Sequence, residues 1–409
     1  MIKVFVDTQS NRLFRGSPME QDYDQRGGLC QASKDDIVVT TNPIDPDYLE
    51  YWKGLGFPLP YLIVAGPFDH RFTLSELILN KPDIMSEIQN LVDGDQARLE
   101  FFCIESTETL LSERLGIPGY CNFDFSIGLS RKIAFKRVCE SISLPTPFWL
   151  YYKDRCKLLK QVREMLNGGN TFLLKANDGT GGISCGAAVK VEKEEDLGLI
   201  NNLLGADSTV ELFAEEIVDA VEEIAIHWEI DEIGNIEVIG VFGQISDNFS
   251  YAGALYPANS ASSTIGLIIG QLNDKLGPYL VKSGAKGYFC CDIMIDKQGA
   301  PFWIDFNPRK GAILYIWDMA RRLTERQFSS SSFKFWHKHV RVPGDQFRSF
   351  KSISQQLGDL FAPSKNKPFV VITNPAVINH GYVDITGISL ASENEAKNVF
   401  QEAIKRINS

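Results

Sequence analysis

Two apolar segments that carry aspartates constrain the fold more than any other feature of this sequence. The segments CCDIMID and APFWIDFNPR flank the turn-forming residues KQGA, and this pattern predicts an antiparallel β-hairpin. Side chains two residues apart share one face of a strand, so Asp305, Asn307 and Arg309 lie together, and Asp292 can meet them from the partner strand. A carboxylate inside an apolar strand costs free energy unless it is paired or binds a metal.

The side chains of this predicted hairpin suit a metal site beside a phosphoryl group. Two carboxylates and a carboxamide oxygen are hard ligands of the kind that Mg²⁺ prefers. The guanidinium of Arg309 can hold a pair of phosphoryl or carboxylate oxygens in a bidentate manner. A hairpin with a polar turn and no ligand is the alternative interpretation.

A lysine followed by a glycine-rich segment stands earlier in the chain, in FLLKANDGTGGISCG, residues 172–186. Lys175 ends an apolar run, and the four glycines between positions 179 and 186 let backbone N–H groups approach an anion. The segment lacks the Gly-Lys-Ser/Thr order of a Walker loop. An ordinary turn between two strands is the simpler interpretation of this segment alone.

A third signal is the acidic segment ELFAEEIVDAVEEIAI. A strand is predicted to end at residues 215–218, and a second strand starts within EEIAI. A break between strands exposes backbone N–H and C=O groups that can pair with the edge of an adenine ring. An exposed acidic turn is the alternative.

Taken in this order, the three signals resemble the ATP-grasp superfamily over roughly residues 130–320. The resemblance implies an α/β fold with an N-terminal parallel α/β domain, an ATP lid domain and a C-terminal catalytic domain. The implied boundaries are 1–128 for the N-terminal (pre-ATP-grasp) domain, 129–214 for the lid, 215–325 for the catalytic part and 326–409 for a small C-terminal α/β region. Alternating strand-like and helix-like segments before residue 130 independently predict a parallel sheet.

The resemblance also implies which residues bind the nucleotide. Lys132 or Lys136, on a predicted helix, would hold the phosphates together with Lys175, and we assign Lys132. Glu222 or Glu223 would contact the ribose, and we assign Glu223. The implied set is completed by Gly179, Thr180, Gly181, Gly182, Ile183, Glu215, Glu216, Ile217 and Val218.

The metal ligands implied by the resemblance are Asp292, Asp305 and Asn307, which would hold two Mg²⁺ ions, with Mn²⁺ as the alternative metal. The superfamily usually has glutamate as the second acid, so the shorter Asp305 would shift one ion or require a bridging water. The D-alanine ligase branch has an arginine at the position of Cys290, which argues against that activity here.

The N-terminal segment and the tail are similar to ATP-grasp peptide ligases of the pheganomycin type. This implies an ATP-dependent carboxylate–amine ligase that forms an amide or peptide bond through an acyl phosphate and releases ADP and phosphate. Lys132, Lys175 and Arg309 would be catalytic, and the substrates would be a small carboxylate and an amine, such as amino acids or peptides. An ATP-grasp kinase, a carboxylase-like enzyme and a non-catalytic ATP-binding protein are the alternatives, and no Met-Lys-Met biotin-attachment motif is present.

Three local predictions concern the surroundings of the site. A basic helix is predicted over residues 129–142, and a helix after the fourth strand is predicted to be capped by Ser106 or Thr107. The glycine- and serine-punctuated segment 246–262 is predicted to be a loop, and the ATP-grasp resemblance implies that it meets substrate, with an ordinary surface loop as the alternative.

Composition narrows the setting in which the protein works. The net charge of -11 argues against a nucleic-acid partner. No apolar run is long enough to span a membrane, and the N-terminus MIKVFVD reads as a strand rather than a secretory signal, so we expect a cytoplasmic protein without a membrane partner. The eight cysteines show no CxxC spacing and are expected to be reduced. A homodimer is left open.

Overall fold

Three β-sheets organise the chain in the computed structural model. The structure describes the chain apart from residues 8–23, 68, 70, 179–187, 200–209, 248–249, 343–348 and 409. The predicted phosphate-cradling loop therefore lies outside the described residues, and with it Gly179, Thr180, Gly181, Gly182 and Ile183.

The first sheet is parallel, as the alternation of strand-like and helix-like segments predicts. Its strands are β1 (Ile2–Val6), β2 (Ile37–Thr40), β3 (Tyr61–Val64) and β4 (Ala97–Phe101), in the order β3-β2-β1-β4. The accompanying helices are α1 (Gly27–Gln31), α2 (Pro46–Gly54), α3 (Leu74–Leu79), α4 (Pro82–Leu91) and α5 (Ser106–Leu115). Strand β2 is buried at all four positions, because helices cover both faces of a parallel sheet.

The N-cap of α5 differs from the prediction. Neither Ser106 nor Thr107 caps this helix, because both are already inside it and Glu105 is the N-cap residue. Glu108 Oε2 accepts a hydrogen bond from the Glu105 N–H at 2.9 Å, as one half of a capping box. Acidic side chains at this end also meet the positive end of the helix dipole.

The second sheet is antiparallel and contains β5 (Trp149–Tyr151), β6 (Phe172–Ala176), β7 (Ala188–Val191) and β8 (Leu212–Glu216), in the order β5-β8-β6-β7. Helices α6 (Phe123–Leu129) and α7 (Lys132–Ser141) precede this sheet in the chain, and α8 (Arg155–Leu166) packs against it. The predicted hairpin on either side of the glycine-rich segment is confirmed, with Lys175 opposite Ala188. The basic helix predicted over 129–142 begins only at Lys132, because Arg131 is its extended N-cap.

The third sheet has eight strands, with neighbours antiparallel. They are β9 (Ala220–Ile230), β10 (Ile236–Asp247), β11 (Ser250–Tyr256), β12 (Gly287–Asp296), β13 (Pro301–Asn307), β14 (Lys334–Arg341), β15 (Phe369–Asn374) and β16 (Tyr382–Ser389). The strand order is β13-β12-β9-β10-β11-β14-β16-β15. The helices of this part are α9 (Ser262–Gln271), α10 (Gly277–Lys282), α11 (Ala312–Phe328), α12 (Phe350–Leu357) and α13 (Glu393–Asn408), with a π turn at Leu272–Leu276. Among the described residues, short 3₁₀ segments lie at Glu194–Leu199, Gly358–Phe361 and Ala376–His380.

The prediction of a loop over residues 246–262 was wrong for much of its length. Residues 250–256 form β11, which pairs with β10 on one side and β14 on the other. A Cβ on Gly253 would come 2.2 Å from the His337 carbonyl oxygen on β14. This glycine marks a close approach of two backbones rather than a turn.

Apolar packing fixes the strands that carry the predicted hairpin. Trp228, Phe289 and Phe306 from β9, β12 and β13 are buried in one cluster with α7 and α9. A second cluster joins α1 and α2 of the first domain to α11 and to the last three strands, and the Tyr48 hydroxyl donates to the Ile372 carbonyl at 3.1 Å. Among the described helices, none is long and apolar enough to cross a membrane.

Candidate active site

The two aspartates of the hairpin face each other at the end of the third sheet. The register of β12 and β13 places Asp292 directly opposite Asp305, which confirms the predicted pairing. Asp292 Oδ1 accepts from Gln244 Nε2 at 2.7 Å, and its Oδ2 accepts from Asn307 Nδ2 at 3.4 Å. Asp305 Oδ2 is ion-paired with the ammonium of Lys132. The acid inside the apolar strand is therefore compensated by a lysine from α7.

The two carboxyl groups differ strongly in acidity. Burial and the neighbouring Asp305 raise the pKa of Asp292 to about 6. Burial would raise the pKa of Asp305 too, but the ammonium groups of Lys132 and Lys175 outweigh it and hold that pKa well below its usual range. Asp305 is thus ionised against fixed cations, while Asp292 keeps its proton up to a higher pH and would ionise more readily beside further positive charge.

This acid pair fits a divalent cation. Asp305 Oδ1 is buried and has no hydrogen-bond partner in the described part of the chain. A cation would satisfy this oxygen and favour the ionised form of Asp292. No group of three or more His, Cys, Asp or Glu side chains arranged for a metal occurs among the residues that the structure describes. An ion at this site would therefore also need the Asn307 amide and ligands from outside the chain, such as phosphate oxygens.

A second charge cluster lies beneath the hairpin, in the second sheet. Lys175 Nζ lies 2.5 Å from Glu215 Oε2, and Lys136 pairs with the other oxygen of the same carboxylate. The two lysines hold the pKa of Glu215 below its usual range although burial acts in the opposite direction. Burial would lower the pKa of Lys175, but the acids Asp305 and Glu215 outweigh it and raise that pKa. Glu215, predicted at an adenine hinge, thus turns its carboxylate inward toward the lysines.

The two helical lysines left open by the sequence have different surroundings. Lys136 is fully buried and is enclosed by Glu215 and by the Trp303 carbonyl, which accepts from its Nζ at 3.2 Å. Lys132 lies one helical turn earlier and reaches the acid pair through Asp305. Its ammonium is therefore the one beside the predicted metal ligands, and its role in holding the phosphates stays a prediction.

The predicted adenine hinge is a tight turn between β8 and β9. The Glu216 N–H donates to the Phe148 carbonyl at 2.8 Å, and the Ile217 N–H donates to the Thr171 carbonyl at 3.3 Å. The Val218 carbonyl accepts from the Ala220 N–H at 2.9 Å. Two of the predicted N–H groups are therefore used within the protein, so an adenine edge would have to use the remaining groups of this turn.

The two candidate ribose acids lie at an open cavity of about 260 Å³ that begins at this hinge. Glu222 accepts from the Asn259 N–H at 2.9 Å and from Ser260 Oγ at 2.5 Å, so both of its oxygens are used. Glu223 Oε2 accepts from the Ser246 hydroxyl. Gln244 lines the same cavity and donates to Asp292, one of the two facing acids. A larger cavity, of about 540 Å³, lies away from these residues, beside Met1 at the edge of the first sheet where β1 and β4 begin.

Arg309 is held in place by three contacts. Its guanidinium donates to Asn307 Oδ1 and to the Lys310 carbonyl, each at 3.1 Å, and lies 4.4 Å from the centre of the Phe102 ring. Lys310 turns the other way and pairs with Glu100 at 2.8 Å. The residue after the predicted arginine therefore fastens the hairpin to the first domain.

Gln244 was not identified from the sequence, because one glutamine in a strand carries no motif. We expect Gln244→Leu to weaken Mg²⁺ binding about 10–100-fold in the presence of a non-hydrolysable ATP analogue, because it removes the donor that orients Asp292. Mg²⁺ titration followed by calorimetry measures this change. Gln298→Leu, in the turn between β12 and β13, is the control, and an unchanged Mg²⁺ affinity for Gln244→Leu contradicts the positioning role.

Comparisons with known proteins agree with this arrangement. Residues 27–117 match the family described as Pre ATP-grasp domain. No curated protein matches the sequence. A solved ADP complex of N5-carboxyaminoimidazole ribonucleotide synthetase is 12% identical, with a TM-score of 0.63, and the match covers 99% of this chain and 95% of that one.

Two further solved structures have a similar fold. The carboxyaminoimidazole ribonucleotide synthase from Aspergillus clavatus, complexed with ATP, is 11% identical with a TM-score of 0.58, and the match covers 99% of this chain and 98% of that one. The L-amino acid ligase from Bacillus licheniformis is 15% identical with a TM-score of 0.57, and the match covers 90% and 96% respectively. The chain therefore has the predicted α/β ATP-grasp fold, whereas the exact domain boundaries stay a prediction.

Proposed function

We propose that this protein is an ATP-dependent carboxylate–amine ligase that forms an amide or peptide bond through an acyl phosphate. The observation that carries the proposal is the convergence of Lys132 and Lys175 on the facing acids Asp292 and Asp305. Lys132 pairs with Asp305, and Lys175 interacts electrostatically with both acids. Such a mixed set of buried and partly buried charges is suited to a triphosphate and divalent cations. Solved relatives of the same fold contain ADP or ATP.

The lysines would offset the repulsion between two anionic reactants. A substrate carboxylate and a triphosphate repel each other, and fixed ammonium groups remove this barrier most effectively in a site that excludes water. Lys132 would pass from Asp305 to a phosphate oxygen, and Lys175 would reach the phosphates from β6. Mg²⁺, held by Asp292, Asp305 and Asn307, would add charge neutralisation and polarise the transferred phosphoryl group.

The proposed reaction has two steps. The substrate carboxylate attacks the γ-phosphorus of ATP and ADP leaves, which gives an acyl phosphate. The amine then attacks the acyl carbonyl and phosphate leaves. Arg309 would hold the acyl-phosphate oxygens, because its guanidinium is fixed beside Asn307. Alignment of the reacting groups supplies much of the acceleration, by roughly 7–11 kcal/mol in well-oriented reactions.

A second candidate follows from the names of two similar structures. Both are carboxyaminoimidazole ribonucleotide synthetases or synthases. In a carboxylase-like reaction, bicarbonate would take the place of the organic acid, and the product would be a carbamate. The same cations and acids would serve both reactions, so only the acid substrate separates them.

A coupled ADP-release screen tests the proposal. Amino acids, dipeptides, small carboxylic acids and bicarbonate are offered in pairs with amines, and hydroxylamine is added to trap an acyl phosphate as a hydroxamate. Ligation predicts ADP release that depends on an organic acid, with a matching hydroxamate. Release that depends on bicarbonate alone supports the second candidate. ATP binding without substrate-dependent release contradicts both and indicates a non-catalytic ATP-binding protein.

A further inference from the structure

Asp7 is a buried acid that the proposed nucleotide site does not use. It directly follows β1, at the carboxyl edge of the first sheet, where open parallel sheets commonly bind ligands. The side chain belongs to a residue that is only 2% exposed. Its Oδ1 accepts from the Tyr315 hydroxyl at 3.1 Å, and its Oδ2 has no hydrogen-bond partner among the described residues.

Close packing holds this carboxylate in place. A Cβ on Gly27 would come 2.0 Å from Asp7 Oδ2, so the first residue of α1 lies directly against that oxygen. A buried acceptor without a donor destabilises the folded state. A ligand that donates a hydrogen bond to Oδ2 would remove this cost.

The charges around Asp7 do not fully compensate an ionised carboxylate. Burial raises the pKa of Asp7 to about 7, and Glu100 adds to this, while Lys310, the Tyr315 hydroxyl and Arg26 act in the opposite direction. Lys310 Nζ is already bound to Glu100 at 2.8 Å and to Gln31 Oε1 at 2.8 Å. The nearest ammonium is thus committed to another acid.

A short chain of contacts connects Asp7 to the hairpin. Tyr315, which donates to Asp7, has its ring 6.1 Å from that of Phe102, and Arg309 lies over the same Phe102 ring at 4.4 Å. Two aromatic side chains therefore separate Asp7 from the arginine that would hold the acyl phosphate.

We infer that Asp7 binds the incoming substrate amine as its ammonium ion and accepts its proton. This inference rests on the proposed function and names a role that the nucleotide site leaves open. A primary amine next to apolar or aromatic groups, such as the α-amino group of an amino acid or peptide, is the expected class of ligand.

The proposed step removes two protons from the substrate nitrogen and exchanges one C–O bond for a C–N bond. The ammonium gives one proton to Asp7 Oδ2 and becomes a neutral amine. The nitrogen lone pair forms the C–N bond at the acyl-phosphate carbonyl, and the C–O bond to phosphate breaks. Phosphate leaves with that electron pair and with a second proton from the nitrogen. Asp7 then releases its proton to water.

The test measures how Asp7→Asn changes the reaction with each of two nucleophiles, hydroxylamine and an alkylamine. Hydroxylamine is largely unprotonated near neutral pH and needs no base, whereas an alkylamine does. With ATP and an acid from the screen, we expect Asp7→Asn to form hydroxamate within about twofold of wild type but to transfer the amine about 10²-fold more slowly, as for loss of a general base. The residual amine transfer should rise with pH as free amine accumulates.

Asp36→Asn is the matched control. Asp36 is also buried and precedes β2, at the opposite edge of the same sheet, where it accepts from the Lys3 and Ser33 N–H groups. Hydroxamate formation and amine transfer should both survive this change. Equal amine transfer by wild type and Asp7→Asn overturns the inference, and so does a parallel loss of hydroxamate and amide, which indicates a structural role. Absence of hydroxamate from wild type with every acid overturns the proposed function itself and the inference with it.

Stability gives a readout that does not depend on substrate. The raised pKa of Asp7 means that the folded protein binds this proton more tightly than the unfolded chain, so stability falls as pH rises from 3.8 to about 7. Asp7→Asn should remove this fall. We expect its denaturation midpoint to exceed that of wild type by a margin that grows over this pH range and then stays constant. A margin independent of pH contradicts a proton-accepting carboxylate at this position.

Discussion

Replacement of Asp305 by asparagine is expected to lower substrate-dependent ADP release by roughly 10³-fold or more, because it removes a metal ligand and the charge that holds Lys132. The carboxylate faces Asp292 and keeps one buried oxygen without a hydrogen-bond partner among the described residues. The amide of asparagine is a weaker ligand and leaves Asp292 alone to hold a cation. ADP release with the screened substrates measures the effect, and turnover near that of wild type would remove Asp305 from the proposed site.

The same substitution also tests how the free protein compensates its buried acid. The sequence alone places an acid in an apolar strand, and it predicts that neutralising this acid leaves the unfolding free energy equal or higher. The structure instead pairs Asp305 with Lys132, so asparagine leaves a partly buried ammonium without its partner. We therefore expect a loss of roughly 1–3 kcal/mol in unfolding free energy without nucleotide.

The matched control for this loss is the double variant Lys132→Met, Asp305→Asn. Removal of both charges should recover much of the stability, because neither charge is then left unpaired. Urea denaturation of the wild type, both single variants and the double variant gives the coupling energy. Additive losses would show that the two side chains do not interact in solution.

Local sequence patterns were sufficient to predict the strands that carry the site. The β12–β13 hairpin follows from two apolar runs around a turn, and its register places Asp292 opposite Asp305 as expected. The β6–β7 hairpin and the position of Lys175 on it follow in the same way. These features depend on residues close in sequence, so alternation and turn residues determine them.

Contacts between distant segments could not be predicted in this way. The inward turn of Glu215 depends on Lys136 and Lys175, which come from a helix and a strand formed earlier in the chain. Gln244 meets Asp292 only because β9 separates their strands at the right register. Asp7 looks like an ordinary residue after a first strand, and only the packing of α1 and α11 shows that it is enclosed.

Misleading residue types explain the remaining errors. The segment around Gly253 has the glycine and serine content of a loop, yet it forms an inner strand because β14 approaches it too closely for a side chain. Ser106 and Thr107 are residue types that commonly cap helices, so the sequence favours them over Glu105, which is the actual N-cap. Residue composition reflects the average preference for a loop, a strand or a cap, whereas contacts with the neighbouring backbone determine which of these forms at such positions.

Exchange of Arg309 for lysine is expected to leave Mg²⁺–ATP affinity nearly unchanged and to lower turnover by roughly 10²–10³-fold, as for loss of one preorganised donor at an oxyanion. The guanidinium contacts Asn307 Oδ1 and the Lys310 carbonyl and packs on Phe102, which leaves its remaining N–H groups for an acyl-phosphate oxygen. A lysine offers a single point charge on a flexible stem and cannot hold these contacts and the substrate together.

The nucleophile comparison separates this role from that of Asp7. Arg309 would act when the acyl phosphate forms, so Arg309→Lys should reduce hydroxamate and amide to the same extent, whereas Asp7→Asn should reduce only the amide. Arg322→Lys is the control, because Arg322 binds the Cys30 and Ala32 carbonyls at 2.7 and 2.9 Å and should affect stability more than turnover. Full turnover in Arg309→Lys would remove Arg309 from the mechanism. A joint loss of ATP affinity and turnover would instead assign it to holding the hairpin against Phe102.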